Sequence, residues 1–122
     1  MSRRVIERAE WASFADAFSR RHEGWLISVA VEEPSRARRY VTRSLPLRGV
    51  VAELDEDAAS LMIFSGDTTP HETHFVEHAT SLVVGETAEG AESELTITDD
   101  SGARTILEFR SPMRPELVDG IA

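Results

Sequence analysis

The chain has 122 residues, of which 41% are hydrophobic; it carries a formal net charge of -9 and contains no cysteine. This length suffices for one domain, residues 1–122, and the apolar segments that recur along the chain exclude a mostly disordered protein. The lack of cysteine excludes disulfides, thiolate nucleophiles and sulfur-ligated metal centres, and the acidic balance argues against a whole-molecule attraction to nucleic acid or anionic lipid.

The first predicted element is an amphipathic helix over about residues 7–22. Four apolar residues recur at the spacing of one helical face: Trp11, Phe14, Ala15 and Phe18. Basic residues occupy the last turn, as the helix dipole favours, and Gly24 is placed to end the helix.

After Gly24 the apolar period changes from helical to two, which predicts short strands. The alternation over residues 25–31, a turn at Glu33-Pro34-Ser35 and a returning segment over 37–44 predict a hairpin. Similar apolar segments separated by acidic or glycine-containing turns predict further strands at residues 47–54, 60–65, 81–87, 92–98 and 104–109.

These elements predict an α+β fold that is mainly β. One N-terminal amphipathic helix would pack on an antiparallel β meander of about 7–8 strands, spanning about residues 25–110, as a twisted sheet, sandwich or partial barrel. Residues 111–122 would form a C-terminal tail, because two prolines stop the last strand.

Three of the four histidines lie in residues 70–78, which read PHETHFVEH. A helix beginning at Pro70 would place His71, His74 and His78 on one face, where imidazoles bind zinc, nickel or copper, with Glu72 or Glu77 as a further ligand. These three histidines are the candidate ligands of a divalent transition metal, and the sequence indicates no other cofactor.

The same segment is also compatible with a strand, which its β-branched and aromatic residues favour. A strand would place Glu72, His74, Val76 and His78 on one face, with Thr73, Phe75 and Glu77 on the other. His74 and His78 would then lie roughly 13 Å apart at about 3.3 Å per residue, too far to share one ion.

A cluster of basic residues surrounds the only tyrosine: Arg36, Arg38, Arg39, Tyr40 and Arg43. Arginine side chains suit phosphate or an acidic protein surface, which makes the cluster a candidate interaction surface. In a strand, however, Arg36 and Arg38 would point one way and Arg39 and Arg43 the other. The alternative is therefore an edge strand whose charges prevent aggregation, including by pairing with acidic residues of the same molecule.

The charges are distributed unevenly along the chain. Residues 1–48 contain ten arginines and six acidic residues, whereas residues 49–122 contain three arginines and sixteen acidic residues. Opposite charges in the two halves favour contacts with a protein partner or a second copy of the chain.

Several segments together resemble a family of small bacterial proteins known as domain of unknown function 5335. They are Glu10-Trp11, residues 18–26, residues 45–49, Thr73-His74 and residues 109–113, so the resemblance spans nearly the whole chain. It implies a small bacterial protein and no particular activity, cofactor or site residue.

The sequence contains no nucleophile elbow, phosphate loop or dinucleotide-binding motif. We therefore expect a non-enzymatic protein-interaction or self-associating module, with a homo-oligomer or protein partner held through charged surfaces. The alternative is a metal- or small-ligand-binding protein, possibly hydrolytic, that uses the histidines of residues 71–78. Nucleic-acid binding through residues 36–43 is disfavoured by the net charge. Nowhere do about 18 apolar residues follow one another, so we expect a cytoplasmic protein without a membrane segment.

Overall fold

The structure is a computed structural model that describes residues 2–56, 58–66 and 72–110. Within these ranges one α-helix, α1 (Trp11–His22), follows a short 3-10 helix at Arg8–Glu10. The eight strands are β1 (Ser2–Val5), β2 (Leu26–Glu32), β3 (Arg39–Leu54), β4 (Ala59–Ser65), β5 (Glu72–Val76), β6 (Ala79–Glu86), β7 (Glu92–Asp99) and β8 (Arg104–Phe109).

All strand pairs are antiparallel, in the order β1-β6-β7-β8-β2-β3-β4-β5. The predicted class, one N-terminal helix on an antiparallel and mainly β framework, is confirmed. The chain forms two meanders, β2 to β5 and β6 to β8, joined by the pairing of β8 with β2. This non-sequential pairing could not be read from the spacing of the strands.

Two predicted strands, residues 37–44 and 47–54, are in fact one long strand, β3. Its first half pairs with β2 up to Pro46, and its second half pairs with β4 from Leu47 onward. Pro46 therefore lies where β3 exchanges one neighbour for the other, a position at which a strand tolerates a proline. The exchange divides the strands into a larger sheet (β1, β6, β7, β8, β2 and the first half of β3) and a smaller sheet (the second half of β3, β4 and β5).

Helix α1 covers the side of β3 that β2 leaves. The Ser19 hydroxyl lies 2.7 Å from the backbone nitrogen of Val50 and 3.0 Å from the Val50 carbonyl oxygen. A helical side chain therefore bonds backbone groups that have no ladder partner in β2. Below the helix, Trp11 and Phe18 are almost fully buried, and Gly24 ends the helix with a φ of +86°.

The end of the helix is held by an ion pair between the exposed Arg21 and the buried Glu92. Arg21 donates three hydrogen bonds to the Glu92 carboxylate, at 2.9, 3.0 and 3.2 Å. Nε2 of the buried His22 lies 3.3 Å from the same carboxylate. The His22 ring also packs against the rings of Trp25 and Phe109. The histidine outside the 70–78 segment is thus a core residue.

The inner faces of the two sheets form one hydrophobic core. Leu61 and Ile63 of the smaller sheet are buried in the same cluster as Ile27, Leu82 and Leu107 of the larger sheet. Among the residues that the structure describes, no helix is long and apolar enough to cross a membrane.

Candidate functional site at the edge of the smaller sheet

Strand β5 is the outermost strand of the smaller sheet. It pairs with β4 from Leu61↔Val76 to Ser65↔Glu72 and has no ladder partner on its other side among the described residues. The strand interpretation of this segment is therefore confirmed for Glu72–Val76. The expected alternation holds for residues 73–76, since Val76 is buried and His74 half-buried while Thr73 and Phe75 are exposed; Glu72, at the start of the strand, is exposed.

The face of the smaller sheet that packs against the larger sheet becomes polar toward the Glu72 end of β5, which we call the open end. Three cross-strand pairs lie on this face in succession: Leu61↔Val76, Ile63↔His74 and Ser65↔Glu72. The first pair is apolar, the second combines an apolar with a polar residue, and the third is polar. Polar side chains thus stand at the open end, at positions that fill the core elsewhere.

These inner-face polar residues contact the larger sheet. Thr42 of β3 donates a hydrogen bond of 2.6 Å to the Glu72 carboxylate, and Nε2 of His74 lies 3.3 Å from the Thr105 hydroxyl oxygen. Burial lowers the pKa of His74 below its ordinary value, because the charged imidazolium loses solvation there. His74 is therefore neutral at neutral pH.

A cavity of about 290 Å³ opens between the two sheets at this end, where β3 leaves β2 for β4. Polar and apolar side chains share its lining: Val29, Val41, Thr42, Ile63, Ser65, Glu72, Thr73 and His74. Sequence reasoning found Glu72 and His74 but missed Thr42 and Ser65. In the sequence these two residues are marked only as polar residues at inward positions of β3 and β4. Those positions can be recognised only when the pairing of the strands is known.

The outer face of the smaller sheet carries an apolar row across its three strands. Val51 of β3 is opposite Met62 of β4, which in turn is opposite Phe75 of β5. Phe75 is 62% exposed and Val51 is 43% exposed. The row therefore ends at the unpaired edge with a large, exposed aromatic ring.

The predicted metal ligands are only partly described. His74 lies in β5, whereas the strand ends before His78, whose φ of +56° breaks the alternation expected for it. His71 lies outside the described residues. In the ranges 2–56, 58–66 and 72–110 no group of three or more His, Cys, Asp or Glu side chains is placed to hold a metal ion. The site of three histidines stays a prediction.

The arginine cluster around Tyr40 makes contacts within the molecule. Arg38 donates to Glu32 at 2.8 Å and to Glu108 at 2.7 Å, and the Tyr40 hydroxyl also donates to Glu108. The hydrogen bond to Glu32 raises the pKa of Arg38 further above its already high value, and the opposing effect of burial is smaller. This guanidinium is therefore held by its own chain.

The other members of the cluster are more exposed. Arg39 lies 3.9 Å from Glu33, and the Arg43 guanidinium lies 4.4 Å from the centre of the Tyr40 ring. The contact between Arg43 and Tyr40 differs from the expected placement on opposite faces, because β3 bulges against β2 and Ser44 has a φ of +52°. Arg36 is exposed.

The prediction of an edge strand is met only by the first half of β3. β3 as a whole lies between β2 and β4, but its first half has ladder partners only in β2. The use of the cluster as an interaction surface stays a prediction.

A comparison with protein-family models finds one described as "Family of unknown function (DUF5335)", which matches residues 2–117. The chain belongs to the DUF5335 family. No curated protein and no solved structure matches this DUF5335 chain at a significant level. The match includes every strand described above, so the family likeness covers both sheets and the site between them.

Proposed function

We propose that this DUF5335 protein is a non-enzymatic interaction module that associates with a second copy of itself through β5. The observation that carries the proposal is the exposed Phe75 ring beside a strand edge without a ladder partner among the described residues. Such an edge offers unpaired N–H and C=O groups, to which another strand adds readily.

Self-pairing of β5 is compatible with the side chains it carries. In an antiparallel pair with a two-fold axis at His74, each Thr73 faces Phe75 of the second copy, and each Glu72 faces Val76 of the second copy. No like charges are opposed, since the two His74 rings are neutral at neutral pH. A threonine beside an aromatic ring is also a favourable cross-strand neighbour.

The other outer edge, β1, is protected against the same pairing. A two-fold axis at its centre would place Arg3 opposite Arg4 of the second copy, and opposed like charges destabilise a strand pair. Of the two outermost strands, only β5 therefore has a charge pattern that favours its own copy.

The apolar row strengthens pairing at β5. Phe75 would lie beside the Thr73 and Phe64 row of the second copy, so that apolar side chains continue across a sheet of six strands. One strand of five residues buries less than the roughly 1,200 Å² typical of stable interfaces. We therefore expect a weak dimer that depends on concentration.

The first test is sedimentation equilibrium of the wild type and of two matched variants. Phe75→Ser removes the exposed ring at β5, whereas Val5→Ser removes a side chain of 67% exposure at the opposite edge. We expect Phe75→Ser to raise the dimer Kd by about tenfold or more, the equivalent of about 1.4 kcal/mol, and Val5→Ser to leave it unchanged. A wild type that stays monomeric at every concentration would refute the proposal, and so would an equal effect of Val5→Ser.

The second test locates the interface. The chain has no cysteine, so a single introduced thiol can form a disulfide only between copies. Residues facing each other across an antiparallel pair have Cβ atoms about 4.5–5.5 Å apart, close to the roughly 3.5–4.5 Å of a disulfide. We expect His74→Cys to cross-link rapidly and Glu77→Cys, beyond the end of β5, to cross-link slowly. A dimer that persists without cross-linking at position 74 would assign association to another surface.

A further inference from the structure

We infer that pairing of β5 with a second copy creates a site for one divalent transition-metal ion, bound by the two facing His74 imidazoles. The inference deepens the proposed function and rests on it, because neither copy holds the site alone. In the described part of one chain, no three His, Cys, Asp or Glu side chains are placed to hold a metal ion. Across the pair, the two-fold axis at position 74 brings a second imidazole beside the first.

The spacing of the two imidazoles suits a shared ion. Facing residues of an antiparallel pair have Cβ atoms about 4.5–5.5 Å apart. Zinc lies about 2.0–2.1 Å from an imidazole nitrogen, so two nitrogens that bind one ion are at most about 4 Å apart. Two rings on the same face of the paired strands meet this requirement by rotation about their side-chain bonds. Within one copy, His78 lies beyond the end of β5 and outside its alternation.

One ring nitrogen of His74 is oriented by the fold and the other is accessible. Nε2 lies 3.3 Å from the hydroxyl oxygen of Thr105, which is only 6% exposed. With its hydrogen on Nε2, the ring donates to Thr105 and keeps the lone pair of Nδ1 for a metal. Nδ1 has no hydrogen bond to another described residue, and solvent reaches it, since no buried side-chain nitrogen or oxygen of the described residues lacks a partner. A hydrogen bond from the other ring nitrogen commonly orients a metal-binding histidine.

The surroundings of His74 favour a cation. The described residues beside it in the cleft between the sheets include one carboxylate, that of Glu72, and no arginine. Glu72 lies on the same face two positions along β5, about 6.6 Å away at about 3.3 Å per residue. At this distance each copy's carboxylate stabilises a bound cation by its charge, without being a ligand. Burial lowers the pKa of His74, so the imidazole is already in the neutral form that binds a metal.

Two protein ligands make an exchangeable site and not a closed structural one. A structural zinc site has four protein ligands, so water takes the remaining positions here. Imidazole ligands select zinc, nickel or copper over magnesium. Because the ion binds the pair and not the single copy, it stabilises the dimer by linkage. The weak association of two copies thus depends on the concentration of a transition metal.

The test is sedimentation equilibrium of untagged protein in EDTA, in zinc and in magnesium. We expect the dimer Kd to fall by about tenfold when free zinc is about ten times its own Kd, and to stay unchanged in magnesium at the same concentration. An equal effect of magnesium would show only screening of the net charge of -9 on each copy, and would overturn the inference. A dimer in EDTA that zinc does not tighten would overturn it and leave the proposed pairing intact. A wild type that is monomeric in all three conditions would refute the pairing and, with it, the metal site.

Matched variants and the stoichiometry assign the ligands. His74→Gln keeps an amide that can bond Thr105 but removes the imidazole, and His78→Gln makes the same change beyond the strand. In a calorimetric titration at a protein concentration above the dimer Kd, we expect one zinc ion per two chains in the wild type and in His78→Gln. His74→Gln should bind no zinc, and its dimer Kd should be the same in EDTA and in zinc. One ion per chain, or an equal loss of zinc in both variants, would place the metal at another site and overturn the inference.

Discussion

Ser19→Ala tests the contact by which α1 covers the free side of β3. In the folded protein the Ser19 oxygen accepts a hydrogen bond of 2.7 Å from the Val50 N–H, and Val50 is only 2% exposed. Alanine would leave this buried N–H without its partner, at a cost of about 1–3 kcal/mol. Alanine also favours a helix over serine by about 0.5 kcal/mol, so we expect a net loss of about 1–2 kcal/mol in the free energy of unfolding.

The measurement is urea denaturation followed by circular dichroism, with Ser13→Ala as the matched control. Ser13 lies in the same helix, but it is exposed and its hydroxyl bonds only the carbonyl of Glu10, at 3.1 Å. Water replaces such a bond, so Ser13→Ala should change stability by less than about 0.5 kcal/mol. Equal stabilities of the two variants would refute the argument that Ser19 serves as the missing partner of β3.

Three further predictions concern charged groups. Since burial lowers the folded-state pKa of His74 below the ordinary 6.5, its neutral form stabilises the fold above that pH, and this contribution is lost as the pH falls through the lowered pKa. Denaturation at about pH 7.5 and pH 5 should therefore show a larger loss of stability in the wild type than in His74→Gln, and a smaller loss would contradict the sign. Glu92→Ala should cost about 1–3 kcal/mol in urea denaturation, because the buried Glu92 carboxylate accepts its hydrogen bonds from a charged guanidinium, whereas the exposed Glu89→Ala should be near neutral. Asp99→Ala should lower stability in a thermal melt by about 1 kcal/mol, since its Oδ1 accepts hydrogen bonds from two backbone N–H groups of the β7–β8 turn; an equal effect of the exposed Asp100→Ala would contradict this cause.

The elements with a clear period were predictable from the sequence. The apolar residues of α1 recur at helical spacing and fill the core, and the residues of β5 favour strand by their branching and aromaticity. β1 was missed because all four of its residues are exposed, so no apolar alternation marks it. The continuity of β3 was missed because Pro46 indicates a break, unless the neighbouring strands are known to change there.

The candidate site was less accessible to sequence reasoning, because it depends on pairing between distant segments. The histidines near β5 drew attention to this part of the chain, yet Thr42 lies thirty positions before its partner Glu72 and Thr105 lies thirty-one after His74. Two bulges in the β2–β3 ladder also shift which residues of β3 face inward. No local pattern records such contacts.

The fold alone does not require polar residues at the open end of the inner face. Leu61 and Ile63 show that inward positions of β4 are filled by apolar side chains wherever the two sheets touch. An apolar residue at Ser65, the next inward position, would satisfy the same period. A local departure from the rule that shapes the rest of the strand is expected at functional sites, where polar groups are kept at a cost in stability. By this reasoning the Ser65↔Glu72 pair is the candidate site, and the apolar Leu61↔Val76 pair belongs to the core.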